Sequence, residues 1–361
     1  MTQRPDGGDG RPLQQSFGWR VFETASIALA VLMIASVLWF AVDILLLLFA
    51  AMLLANVLRA PTAALRRRTS LPDGLILTVV ILVVLGLLGA LAAVLVPQLS
   101  NDLPVLLDNL GSTVRQLVRR IGVNDWGDGV LQDMDLLEVI PSPEGLIGGA
   151  TGVIASTFGI LANVLILGVV TAYFAANPRL YLNGAIRLVP PHKRERAGEI
   201  LETIGRTLRW WFLGQLVSMT VVGLLTYVGL SLLGVPLAMT LALIAFLLTF
   251  VPFLGPIIAA VPVFLAAFAE GPETALWVMV YYTFVQSLEG YILTPLVQRK
   301  SVSLPPALTV TAQIVLGVLL GPLGVILATP LAATGLVTVK MVYLEDVLGE
   351  EVNVEVNDPA G

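Results

Sequence analysis

The sequence predicts an all-α polytopic integral membrane protein, with about six spans plus two opposed re-entrant helical hairpins, or alternatively eight full spans. Three observations predict it. The 361 residues are 57% hydrophobic and 12% charged, with mean hydropathy +0.90, whereas a soluble domain is about 25% charged. The apolar residues gather in runs long enough to cross a hydrocarbon core of ~30 Å. Two of these runs, 238–270 and 305–339, break alike, at Phe253-Leu254-Gly255-Pro256 and at Leu320-Gly321-Pro322-Leu323. They hold 33 and 35 residues, too many for one span of ~20, while the halves of roughly 14 to 17 are too short. Proline removes an amide donor and glycine favours a reversal, so each run reads as a hairpin with its tip among Pro252, Gly255, Pro256, Gly321 and Pro322. Broken backbone at membrane depth is tolerated only inside protein or beside a watery cavity, and paired interrupted segments point to a transporter's solute site.

Taken in order, residues 1–20 form a Gly-, Pro- and Gln-rich cytoplasmic tail whose composition predicts disorder. Residues 21–97 hold helices 1 to 3. The apolar run Val21–Leu58 has 38 residues, about 57 Å as one helix, so it is expected to fold back, with Asp43 hydrated at the turn. Arg59, Arg66, Arg67 and Arg68 precede helix 3, and Arg179, Arg187, Lys193, Arg194, Arg196, Arg206 and Arg209 follow helix 4. The positive-inside bias makes both segments cytoplasmic. Residues 98–148 then form an extracytoplasmic insert, where Leu99, Leu103, Leu106, Leu110, Val114, Leu117 and Ile121 repeat at helical spacing and predict an amphipathic helix packed on protein or membrane.

Helix 4 closes at 149–176, and Gly148, Gly152 and Ser156 give it a close-packing face. Residues 177–209 read as a cytoplasmic juxtamembrane helix, with Trp210 and Trp211 at the interface and His192 as a solvated member of a basic run. Residues 210–340 are a helix–hairpin–helix–hairpin core. The acidic loop Glu270-Gly271-Pro272-Glu273 falls outside and Arg299-Lys300 inside. The tail 341–361 carries six acids and no bases, and ends inside with the N-terminus.

Each hairpin follows a helix bearing a polar pair three residues apart, Gln215 and Ser218, then Gln286 and Glu289. If helix 5, about Arg209–Leu233, runs outward and helix 6, about Glu273–Val297, runs inward, the two units form an inverted repeat, the plan of alternating-access carriers. Glu289 is the single ionisable residue inside helix 6, ~15 Å from Arg299 along the axis. An intramembrane carboxylate is a functional candidate, here for proton or cation coupling, the alternative being a buried structural acid hydrogen-bonded to Gln286. Gln215, Thr249 and Gln313, with Asn163, Thr309 and Thr311, could line a route or simply join helices. The chain has no cysteine and one histidine, and no GxxxxGK[ST], HExxH or GxSxG motif, so no enzyme, cofactor or metal site is expected.

The segments TFVPFLGPIIAAVP at 249–262, VQSLEGYILTPLVQRKSVSLPPAL at 285–308 and LGPLGVILATPLAA at 320–333 together resemble the autoinducer-2 exporter-like permease family, over about residues 20–345. Gln286, Glu289, Pro295, Pro305 and the Gly-Pro breaks match its pattern; Thr249 departs from it, since members often carry Asn there. The resemblance implies a bacterial or archaeal inner-membrane permease. The transported species it implies is a small polar metabolite such as autoinducer-2, or a monovalent cation exchanged for protons. A passive channel or gated pore built from the same hairpins is the alternative. The expected partners are the lipid bilayer, the solute and further copies of the chain in a homo-oligomer, and not nucleic acid.

Overall fold

A computed structural model of the chain describes residues 17–69, 71–121, 164–298 and 304–350. Residues 1–16 of the expected N-terminal tail, Asn163, the face of Gly148, Gly152 and Ser156, the pair Arg299-Lys300 and the end of the acidic tail lie outside the described residues, while 17–20, expected in that tail, already belong to a helix. All regular structure among the described residues is helical. The helices are α1 Phe17–Arg66 and α2 Asp73–Ile121, α3 Val164–Ala176, α4 Pro178–Arg187 and α5 Arg194–Leu232. Then come α6 Ala238–Leu248, α7 Leu254–Glu270 and α8 Pro272–Leu288, α9 Thr294–Gln298 and α10 Pro306–Thr338. By length and composition, four segments among the described residues could cross a membrane: Ala41–Arg66, Asp73–Thr113, Pro191–Leu232 and Pro306–Glu345; α3 with α4, taken as one span, is a fifth. The chain is a multi-pass all-α membrane protein.

Two units separate by contact, residues 1–46 and 47–361. In the first, Ile27, Leu29, Val31 and Met33 are all exposed, as lipid-facing side chains are. The reversal expected at Asp43 is absent, since α1 stays helical through it. Residues 21–60 contain neither Gly nor Pro, and one Asp costs a helix only about 0.7 kcal/mol, too little to turn the chain.

The second unit holds the rest. There α2 continues past Pro97 and Pro104 to Ile121, so the stripe expected outside the membrane belongs to the same helix as helix 3. Both prolines are exposed and two turns apart, and such prolines bend a helix without ending it. The packed line is rotated from the leucine stripe. Leu95, Leu106 and Thr113 are buried and Asp102 is half-buried, while Leu103 is 38% exposed. Leu106 packs with Leu230, Leu241, Val263 and Val278. The Asp102 carboxylate accepts hydrogen bonds from Gln98 and from Thr240 in the first turn of α6, where a helix N-terminus favours negative charge.

The expected juxtamembrane helix 177–209 is divided: Pro178–Arg187 form α4, while its part from Arg194 onward runs on into helix 5 as one helix, α5, which touches α4, α6, α8, α9 and α10. Two glycines permit this close approach. A Cβ on Gly223 would lie 2.8 Å from the Cβ of Phe246, and one on Gly229 would lie 1.9 Å from the ring of Tyr281. Small residues at such crossings let helices pack closely where lipid supplies no hydrophobic drive. Arg196, near the start of α5, ties it to the end of the chain's helical core, pairing with Glu345 and Asp346 and donating to the Met341 carbonyl.

Both expected breaks are present. Between α6 and α7 the chain turns through Thr249–Phe253, with Phe253 at φ +65°. A Cβ on Gly255 would lie 1.8 Å from the Leu248 carbonyl oxygen, so only glycine fits. In α10 the break is Gly321, at φ 66° and ψ −155°, a region open essentially to glycine alone. The two halves of α10 then meet face to face. A Cβ on Gly324 would lie 2.1 Å from the Leu316 carbonyl oxygen, and one on Gly317 2.7 Å from the Val325 side chain. Residues eight apart along a straight helix are ~12 Å apart, so α10 is a folded pair of helices.

Candidate functional site

The broken segments meet α5 and α8 around a cavity of about 440 Å³. Its walls carry Trp211, Gln215 and Ser218 of α5, and Tyr282, Gln286 and Glu289 at the end of α8. The two trios have the same spacing: aromatic, then Gln four residues on, then a polar side chain three further. Both sets therefore lie on one face of their helix. Pro252, Phe253 and Pro256 of the first break, and Thr309 and Thr329 of the second folded pair, complete the lining.

Two glutamines hold the first break in place. Gln215 donates its amide to the Thr249 carbonyl, and Gln313 donates to the Pro252 carbonyl at 2.8 Å. Tyr282 donates its hydroxyl to the Pro256 carbonyl at 3.0 Å, and the Trp211, Phe212 and Phe250 rings meet edge to face. Backbone that has left the helical ladder inside protein must find partners, and these side chains supply them.

Of the sequence candidates, Gln215, Ser218, Gln286, Glu289, Pro252 and Pro256 lie on the cavity. Thr249 does not, because its hydroxyl turns back to the Ala245 carbonyl at 2.6 Å. Gln313 is fully buried behind Pro252, and its Oε1 has no partner among the described residues. Gly255, Gly321 and Pro322 shape the breaks without lining the cavity, and Thr311 is exposed. Trp211, expected at the interface, is 6% exposed and packs inside. Tyr282, Thr294 and Thr329 were absent from the sequence candidates. The repeated aromatic–Gln–polar spacing could have found Trp211 and Tyr282; Thr294 and Thr329 are placed by tertiary packing alone.

Among the described residues, the lining contains one carboxylate, Glu289, and no cation. Glu289 opens a π-helical turn, Glu289–Leu293, in which the Thr294 amide reaches back five residues to the Glu289 carbonyl. Such turns misalign the backbone ladder and recur at functional sites. The buried hydroxyl of Thr329 has no hydrogen-bond partner among the described residues. A half-buried carboxylate, amide and hydroxyl side chains, two aromatic residues and the converging ends of α6 and α7 suit a small polar or cationic species.

Broken helices around a cavity with polar groups set among apolar side chains, in a multi-pass membrane protein, point to a transport protein. Residues 27–343 match the AI-2E family transporter family, and the chain belongs to that family. PerM of Escherichia coli (strain K12), named as a proposed permease, is 27% identical over 341 residues, 89% of this chain and 94% of PerM. YueF of Bacillus subtilis (strain 168), named as a proposed transport protein, is 26% identical over 302 residues, 79% of this chain and 82% of YueF. MT0215 of Mycobacterium tuberculosis, named likewise, is 39% identical over 106 residues, 29% of each chain. The family is one of transporters, which implies a bilayer environment and a transported solute.

Proposed function

We propose that the chain is a secondary transporter of the inner membrane that works by alternating access. It carries either a small polar metabolite such as autoinducer-2 or a monovalent cation exchanged for protons. The observation that carries this reading is the position of Glu289: the one carboxylate lining the cavity among the described residues sits on a π turn, in the same cavity wall as a broken helix pair. Repeated trios on α5 and α8 give two equivalent walls, as an inverted repeat requires. The repeat exchanges roles between two rocking halves while the site stays fixed. No phosphate-binding loop occurs in the sequence, so the driving force is a gradient. The polar side chains assigned to transport or coupling are Glu289, Gln286 and Ser218. Gln215, Thr249 and Gln313 belong to the scaffold of the first hairpin.

The test is flux in proteoliposomes against a panel of monovalent cations and small polar metabolites. A carrier saturates and responds to a counter-gradient; a linear flux indifferent to any counter-ion would replace this reading with a gated pore. Topology is checked separately. If both breaks are re-entrant hairpins, Gly271 faces outward and Ser301 faces the cytoplasm, with both termini inside. The chain has no native cysteine, so Gly271→Cys and Ser301→Cys can each be labelled alone in oriented vesicles. Labelling of Ser301→Cys from outside only would rule the hairpin topology out.

A further inference from the structure

We propose that α4 is a docking site for the headgroups of anionic phospholipids. α4 bends 81° away from α3, so wherever α3 crosses the bilayer, α4 lies along its surface. Pro178 in the first turn of α4 enforces the bend, because a proline cannot extend the preceding helix. Arg59 fixes the elbow by donating to the Ala175 carbonyl at 2.9 and 2.7 Å and to the Ala176 carbonyl at 3.2 Å. Those are the last carbonyls of α3, which the bend leaves without helical partners.

The faces of α4 are divided as an interfacial helix requires. Arg179, Asn183 and Arg187 recur one turn apart on one face, while Tyr181, Leu182, Ala185 and Ile186 make the other. Ile186 reaches α5 at Gly198, and the Tyr181 ring meets Phe174 edge to face at 4.5 Å, so the apolar side is partly seated on protein. The rest of α4 is open: none of its residues is buried, and Leu180 is 67% exposed. Lys193 and Arg194, exposed just beyond, extend the positive face, and no acid occurs between Arg179 and Arg194. A row of uncompensated cations at headgroup depth calls for phosphate, each cation near an anionic leaflet contributing about 1 kcal/mol. A soluble acidic protein would not explain the exposed Leu180 and Leu182 at the same level.

The purified full chain, reconstituted in nanodiscs of phosphatidylcholine alone or with phosphatidylglycerol, tests this by lipid-resolved native mass spectrometry. The expected result is preferential retention of phosphatidylglycerol, on the order of tenfold weaker in Arg179→Gln/Arg187→Gln. Arg179→Lys/Arg187→Lys should keep it, and Asn183→Glu, which leaves both arginines in place, should weaken it. Equal retention of the two lipids, an unchanged preference in the glutamine variant and in Asn183→Glu, or full competition by inorganic phosphate at matched concentration would each overturn the proposal. The last outcome would mean a small-anion site in place of a lipid surface.

Discussion

Replacing Glu289 with Gln is expected to remove pH-dependent flux, lowering it by at least about tenfold, while leaving expression and oligomeric state as they are. The substitution keeps the shape of the side chain and removes its charge and its exchangeable proton. Among the described residues, Glu289 is the only ionisable group on the cavity wall that can carry a proton in the ordinary pH range. Ser218 and the threonines beside it can hold a solute but cannot change charge. A tenfold loss is about 1.4 kcal/mol, small beside the cost of placing an unpaired carboxylate at membrane depth. Wild-type flux and pH profile in Glu289→Gln would make this carboxylate a structural acid of the π turn.

The second large effect is expected at the two broken-helix glycines, for different reasons. Gly255→Leu and Gly321→Leu should both impair flux more than membrane insertion, since added hydrophobicity does not oppose insertion. At Gly255 the obstacle is the Leu248 carbonyl oxygen, 1.8 Å from where a Cβ would stand. Even Gly255→Ala must therefore shift backbone, at a cost of roughly 1–3 kcal/mol. Around Gly321 there is open space, and the cost comes from forcing a side chain into φ 66°, ψ −155°, again about 1–3 kcal/mol. Thermal unfolding in detergent alongside flux separates the two. An unchanged midpoint and unchanged flux in Gly255→Ala would mean that the first break is loose.

Much of this was legible in the sequence because it rests on local chemistry. The Gly-Pro breaks announce themselves, since no helix continues undisturbed through Leu-Gly-Pro, and the pairs Gln215/Ser218 and Gln286/Glu289 sit at a spacing that fixes a shared face. The division of labour between the tip residues was not legible. Positive φ falls on Phe253 and Gly321, while Gly255 is needed for a close approach that only the folded pair creates. Gln215 and Gln313 read as route-lining amides; both donate to the first break, at Thr249 and Pro252, and of the two Gln215 also lines the cavity. A side chain's partner across 34 or 61 residues is decided by packing. The turn expected at Asp43 failed for the opposite reason: one polar residue was given more weight than a long flanking run free of helix breakers. Likewise, Pro97 seemed to close helix 3, but a proline on an exposed face only bends it.

The most direct test of the cavity as the transport site is a single cysteine introduced at Ser218, in a chain that has no other. Ser218 is 4% exposed and lies on the cavity wall across from the π turn. Ser218→Cys should transport nearly as the parent does, since a thiol replaces a hydroxyl of similar size. A small methanethiosulfonate reagent should then abolish flux, and the transported species should slow the reaction. Stoichiometric modification of the introduced thiol, verified by intact mass and accompanied by undiminished flux, would contradict the account, because the solute would then be passing somewhere else.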